Sequence, residues 1–271
     1  MNIVIGLDIG GSTTKIIGLE GETLISQTRV KASDPVASAF GALGKFLSEN
    51  RIELQSVDRI MVTGVGASYI RGNLLDIPTV RTEEFRAIGL GGLYVSGLKE
   101  AIVVSMGTGT AIVHADGQKV AHVIGSGVGG GTLLGLSSRM INVRDFNMFS
   151  EMAERGNLSN IDLTIGDITK GSIPGLSADT TASNFGKISD NATHEDIALG
   201  IVNLVFQSIG TSSVMAARQR QLSDIVFTGN LTLLSSGNRV LHTFSQLYQM
   251  NIVIPSSAEF ATAIGAALCQ Q

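Results

Sequence analysis

The chain opens on a nearly unbroken apolar run, Ile3-Val4-Ile5-Gly6-Leu7-Asp8-Ile9, whose β-branched residues predict a buried strand. Gly10-Gly11-Ser12-Thr13-Thr14 interrupts it, and Lys15-Ile16-Ile17-Gly18-Leu19 resumes strand composition. Residues 3–19 therefore read as a β-hairpin with a glycine- and hydroxyl-rich tip. A third strand is predicted from Leu24 to Val30. The period then changes: from Asp34-Pro35 onward Val36, Phe40, Leu43, Phe46 and Leu47 recur at helical spacing as far as residue 50. A strand at Arg59–Val62 runs into Thr63-Gly64-Val65-Gly66, with a helix expected after it.

The opening pattern then returns. Ala101-Ile102-Val103-Val104-Ser105-Met106 is a second buried-strand run, Gly107-Thr108-Gly109-Thr110 a second tip, and Ala111–His114 a second returning strand. Two such units predict a duplicated α/β fold of two lobes with a cleft between them. Gly89, Gly91, Gly92 and Gly97 accumulate at 85–100, which places the expected boundary there. Residues 132–157 and 195–219 carry helical spacing, Ile225–Phe227 and Ile252–Ile254 read as strands, and Glu259–Leu268 reads as a small, closely packed helix.

Composition adds limits. Hydrophobic residues are 44% of the chain and charged residues 15%, enough apolar surface for a substantial core. The net charge of −4 argues against a nucleic-acid or anionic-membrane partner. One cysteine, Cys269, excludes a disulfide framework, and the four scattered histidines have no metal-ligand spacing. The N-terminus lacks the basic start and long apolar stretch of a signal peptide, so a cytoplasmic protein is expected.

Three glycine-rich loops carry the candidate chemistry: Asp8–Lys15, Gly107–Thr110 and Gly125–Thr132. Glycine lets successive backbone N–H groups point into one concavity, and the interleaved hydroxyls add donors for phosphate oxygens. The P-loop pattern G-x-x-x-x-G-K-[ST] is absent, and Gly125–Gly130 matches G-x-G-x-x-G without the strand and acidic residue a dinucleotide fold places downstream. Asp8 ends a buried strand beside the first loop, where a carboxylate can hold Mg²⁺, or can simply cap the turn. Lys15 reads equally as a phosphate-reaching charge or a strand lysine. Glu83-Glu84-Phe85 precedes the inter-lobe segment. It reads either as a source of a cleft carboxylate able to deprotonate a hydroxyl, or as a solvated helix start.

Taken in order, these pieces make the chain similar to the type II pantothenate kinases of the actin, sugar-kinase and heat-shock ATPase superfamily. The matching segments are Gly6–Ile16, Thr63-Gly64, Glu84-Phe85, Met106–Thr110, Gly129–Leu136, Thr181–Gly186, Thr228-Gly229-Asn230 and Ala263–Ala266. The resemblance implies a duplicated actin-like (ribonuclease H-like) fold. Its lobes would be residues 1–90, closed by a C-terminal helix at 256–271, and residues 91–255. It implies ATP- and Mg²⁺-dependent phosphorylation of pantothenate, with a homodimer built on long helices of the second lobe. Glu84 would be the general base. Asp8, Gly10, Gly11, Ser12, Thr13, Thr14 and Lys15, with Gly107, Thr108, Gly109 and Thr110, would handle magnesium and the phosphates. Gly130, Gly131, Thr132, Leu133, Leu134, Phe146 and Asn230 would surround the nucleotide, and Thr108 would also lie near the acceptor. Where the family carries an arginine for the acceptor's carboxylate, this chain has His122, a neutral imidazole in place of a bidentate guanidinium. Two other readings stay open: a kinase for a related hydroxyl compound such as pantetheine, and an ATP-binding regulatory paralogue without turnover.

Overall fold

Two five-stranded sheets with one shared topology organise the computed structural model, which describes residues 2–31, 34–171 and 173–269. In the first, β1 (Ile3–Ile9), β2 (Thr13–Glu20) and β3 (Thr23–Lys31) form an antiparallel meander. After α1 (Pro35–Asn50), β4 (Val57–Thr63) and β5 (Thr79–Arg81) add in parallel, giving the order β3-β2-β1-β4-β5. Then α2 (Glu84–Ser96) leads into the second sheet. There β6 (Ala101–Met106), β7 (Thr110–Ala115) and β8 (Val120–Ser126) repeat the meander. An excursion follows through α3 (Gly130–Met140), α4 (Phe146–Arg155), β9 (Leu163–Thr164), α5 (Ile165–Ile168), β10 (Thr181–Ser183) and α6 (His194–Gln219). Finally β11 (Asp224–Thr228), α7 (Ser235–Tyr248) and β12 (Asn251–Val253) complete the order β12-β11-β6-β7-β8, and α8 (Ala261–Leu268) returns to the first sheet.

Both faces of the central strands are covered, which is why β1, β6 and β11 read as nearly continuous apolar runs, while the edge strand β3 alternates and leaves one side exposed. On the first sheet Ile5, Leu7 and Ile9 pack under α1 with Leu43 and Phe46, while Val4, Ile17 and Leu19 pack against Ala263, Ile264 and Ala267 of α8. On the second, Ile102, Val104 and Phe227 meet Ile201, Val205 and Phe206 of α6, and Val103, Val113 and Val226 meet Ile88 and Leu93 of α2. The α6 helix is long and apolar enough to cross a membrane, but most of it is buried in this core.

The glycines at 85–100 do not loosen a boundary. They lie in α2 and its left-handed cap Gly97, and α2 crosses α8 at close range: a Cβ on Gly91 or Gly265 would land on the backbone carbonyl of Ala261 or Ala87. Residue 90 falls within α2, which packs on β6, β7 and β8 of the second sheet and on α8 of the first. Other expectations also shift. After Gly64 comes only a 3₁₀ turn, Val65–Tyr69, and then β5. The expected 132–157 helix breaks at Ile141–Asp145, with Asn142 left-handed at φ 54°. Met1, at the head of the first lobe's expected range, and residues 270–271, at the end of the closing segment, lie outside the described residues.

Candidate active site

The two hairpin tips meet at the mouth of a cleft between the sheets. Gly10 N–H donates to the Thr13 carbonyl (3.0 Å), and Gly107 N–H to the Gly109 carbonyl (2.9 Å), closing each tip. The Thr108 hydroxyl faces Gly11, 3.9 Å from where a Cβ on that glycine would stand. One hydrogen bond spans the gap: Asn230 Nδ2, after β11, donates to Thr13 Oγ1 at 3.2 Å.

Beneath the tips lies a cavity of about 340 Å³ lined by Asp8, Lys15, Gly64, Glu84, Ser105, Thr110 and Ser126 as well as both tips. Asp8 arrives there because it sits near the C-terminal end of β1, in register with Lys15 on β2 and Thr63 on β4. A Cβ on Gly64 would stand 2.6 Å from Asp8 Oδ1, so glycine, here at φ +85°, keeps that carboxylate clear. Glu84 arrives as the first residue of α2, at the positive end of the helix dipole. Burial pushes the Asp8 carboxyl up from its ordinary value, with the Lys15 charge pulling it back. Lys15 is almost fully buried, which pushes its ammonium pKa down, against the opposing pull of Asp8 and Glu259. Glu84 opens onto the cleft, yet partial burial and then the Asp8 charge raise its carboxyl. A carboxylate raised in this way is closer to the proton affinity of a useful base at neutral pH.

Alongside, and sharing Gly11, Ser12, Thr13, Gly107, Thr108 and Asn230 with it, opens a larger cavity of about 810 Å³. Leu134, Phe146, Leu231 and Leu233 give it apolar walls, and Arg29 and Lys31 on the edge strand β3 give it a basic one. Arg29 is held at 3.0 Å by Glu259. An apolar slot with a basic flank, joined to two glycine-rich tips, suits a nucleoside and its phosphates.

Most residues singled out in the sequence line these two cavities; Thr14, Thr132, Leu133 and His122 do not. Thr14 is buried in β2 with its hydroxyl unpartnered, and it does not line either cavity. Leu133 is fully buried in the second lobe's core, because α3 turns that face inward and leaves Leu134 for the cavity. The Thr132 hydroxyl is committed to the start of α3, accepting from the Gly129 N–H at 3.3 Å and donating to the Gly127 carbonyl at 2.9 Å. His122, on β8, lines neither cavity: its ring stacks on Phe85 with centroids 4.2 Å apart, beside Glu84 at the rim. The amides of Gly130 and Gly131 are spent as well, donating to the Gly107 and Thr108 carbonyls at 2.9 Å each. They brace the second tip. Sequence reading missed Arg29, Asp145, Asn147 and Ser150, which form no local motif and meet only through the fold.

Among the described residues no three His, Cys, Asp or Glu side chains gather as a ready metal cage. Asp8 and Glu84 are instead two oxygen donors facing a phosphate-sized space, which fits magnesium, an ion that takes one or two carboxylates and completes its shell with phosphates and water.

The family model described as Fumble matches residues 96–252. A type II pantothenate kinase of Bacillus thuringiensis subsp. konkukian is 28% identical over 241 residues, covering 85% of this chain and 83% of its own. A type II pantothenate kinase of Staphylococcus aureus (strain bovine RF122 / ET3-1) is 29% identical over 276 residues, covering 97% of each chain. Among solved structures, the activator of the 2-hydroxyisocaproyl-CoA dehydratase from Clostridium difficile with bound ADPNP superposes with a TM-score of 0.68 at 17% identity, covering 98% of this chain and 93% of its own. A ROK family glucokinase from Streptomyces griseus in complex with glucose and AMPPNP gives 0.62 at 13%, covering 98% of each. Those structures establish the two-lobe, actin-like ATPase fold.

Proposed function

The chain belongs to the Fumble family, that of the type II pantothenate kinases, and from that premise we propose that it transfers the γ-phosphoryl group of ATP to the hydroxyl of pantothenate. This is the first committed step towards coenzyme A. The observation that carries the reading is the pair of cleft carboxylates, Asp8 and Glu84, set between two glycine-rich tips with a nucleoside-sized cavity alongside.

In this reading the adenosine occupies the larger cavity between Leu134, Phe146 and Asn230, with Arg29 on its basic wall. The phosphates run between the tips at Gly10–Thr13 and Gly107–Thr110, and Lys15 meets them as a point charge. Asp8 would hold Mg²⁺, whose chemistry when bound is to neutralise charge on the phosphate oxygens. Thr108 orients the acceptor hydroxyl towards Glu84, and the Glu84 carboxylate takes its proton. A new O–P bond then forms to the γ-phosphorus as the bond to the β–γ bridging oxygen breaks, releasing ADP. His122 buttresses Phe85, and with it the helix start that carries Glu84. The protein works in the cytoplasm, as a homodimer.

The regulatory alternative is disfavoured by Glu84 itself, since a non-catalytic binder has no use for a raised carboxylate aimed into the cleft. Coupled ADP release with Mg·ATP tests the assignment. Release that depends on pantothenate, and is lost in Glu84→Gln while ATP still binds, is expected. Equal turnover by the two proteins would overturn the role of Glu84.

A further inference from the structure

Glu259 lines neither cavity and belongs to no glycine-rich loop, yet it holds the Arg29 side chain, which does line one. It sits on the 3₁₀ turn Ala258–Phe260, in the segment that carries the chain from the second sheet back to α8. That turn is anchored. Ala258 and Phe260 are buried on either side of Glu259, and the Ala258 carbonyl accepts from Gly229 N–H at 3.0 Å, next to Asn230. The Glu259 side chain is itself only 16% exposed.

Strand register places its partner at the phosphate end of the nucleoside cavity. Across β1, β2 and β3, Asp8 pairs with Lys15 and Lys15 with Arg29, so these side chains form one row on one face of the first sheet. Further along, Lys31 pairs with Thr13 of the first tip. Arg29 therefore stands beside the tip and next to a buried cation, where like charges on neighbouring strands repel. Glu259 offsets that repulsion, and its charge joins that of Asp8 in opposing the burial that lowers the Lys15 pKa. Arg29 gives Glu259 its Nη1, at 3.0 Å from Oε2. Among the described residues Nε and Nη2 have no protein partner. Arg29 is 45% exposed, so the pair adds little to stability, and its consequence is orientation. A guanidinium can serve two anions at once because its donors form a planar fork.

We propose that Glu259 is a positioning residue for ATP: by holding Arg29 through Nη1, it leaves the remaining guanidinium donors to the nucleotide's phosphate chain. Glu259 itself touches neither nucleotide nor acceptor. The inference rests on the nucleotide-binding half of the kinase reading. It adds that the segment returning to α8 fixes a ligand-facing cation of the first lobe.

Calorimetric titration with Mg·ATP and with adenosine is the test, on the wild type, Glu259→Gln, Arg29→Ala and the double variant. Glu259→Gln keeps the size of the side chain and should weaken ATP binding by about fivefold, a coupling usual within one salt-bridge network. Adenosine, which has no phosphate, should bind that variant as tightly as the wild type. In the Arg29→Ala background the same change should have no further effect. Wild-type affinity for ATP in Glu259→Gln, or a further loss in the Arg29→Ala background, would overturn the inference. If Glu259→Gln lost adenosine as well, Arg29→Lys would decide, since it leaves the returning segment untouched and keeps the charge without the fork. Weaker ATP binding by Arg29→Lys with adenosine unchanged would uphold the proposal, and wild-type affinity for ATP would overturn it. A wild type that bound ATP but released no ADP with pantothenate would remove the kinase reading and leave this inference to the binding data. A wild type that bound no ATP would overturn both.

Discussion

Glu84 concentrates the conflict between stability and function in one side chain. Its carboxyl is raised first by burial and then by the Asp8 charge, so the ionised form is disfavoured in the folded protein. A carboxylate with a raised folded pKa contributes stability below its unfolded pKa and loses it as the pH rises through the folded pKa. At neutral pH the charge is therefore a burden, and Glu84→Gln should raise the Tm. That gain should fade when melting is repeated below the ordinary carboxylate range. The same variant should lose about a hundredfold or more in kcat, the usual worth of a positioned base. In the wild type, kcat/KM should fall on the acid side at a pH above the ordinary carboxylate range, as Glu84 gains its proton. Arg29→Ala belongs to the same scale: removing the cavity's basic wall should raise the KM for ATP with little change in kcat, as initial-rate kinetics would show.

Elements decide which sequence signals could be read. The two hairpins were legible because each is local: a β-branched run, a glycine–hydroxyl tip and a returning strand within about twenty residues. Asp8 and Glu84, which line one cavity, each stand at the edge of a recognisable element and so could be singled out from the sequence. The glycines of α2 were ambiguous in the sequence because a glycine cluster has two physical meanings, a flexible joint and a close helix crossing, and the position of α8 shows the second. That His122 and Leu133 line neither cavity is set by register and helix phase, which residue type does not reveal. Gly265→Ala tests the crossing. Its Cβ would meet the Ala87 carbonyl, which a flexible side chain cannot relieve, so a loss of about 3 kcal/mol is expected in urea unfolding. Asp162 performs a comparable service for the β9–β10 excursion. Fully buried, it accepts from Phe185 N at 2.9 Å and from the side chains of Thr181, Asn184 and Asn203, tying the excursion to α6. Asp162→Ala should cost about 3 kcal/mol by leaving those donors unpaired, and Asp162→Asn should recover part of it.

At the scale of the whole molecule, duplication supplies the chemistry. Two copies of one sheet topology, packed through α2 and α8, bring two glycine-rich tips face to face, and neither lobe alone encloses the cleft. The chain returns to the first lobe through α8, so the two sheets are joined at more than one covalent crossing. The proposed homodimer belongs to the second lobe, where Met215 stands 68% exposed on α6. Sedimentation should give twice the chain mass, and Met215→Glu should reduce it to one chain.

The central claim is transfer of phosphate to a hydroxyl, and the most direct measurement is ³¹P NMR of the purified protein with Mg·ATP and pantothenate. A phosphate monoester resonance growing in step with ADP, and absent with Glu84→Gln, is the result this account predicts. ADP accompanied only by inorganic phosphate, at the same rate with or without pantothenate, would contradict it.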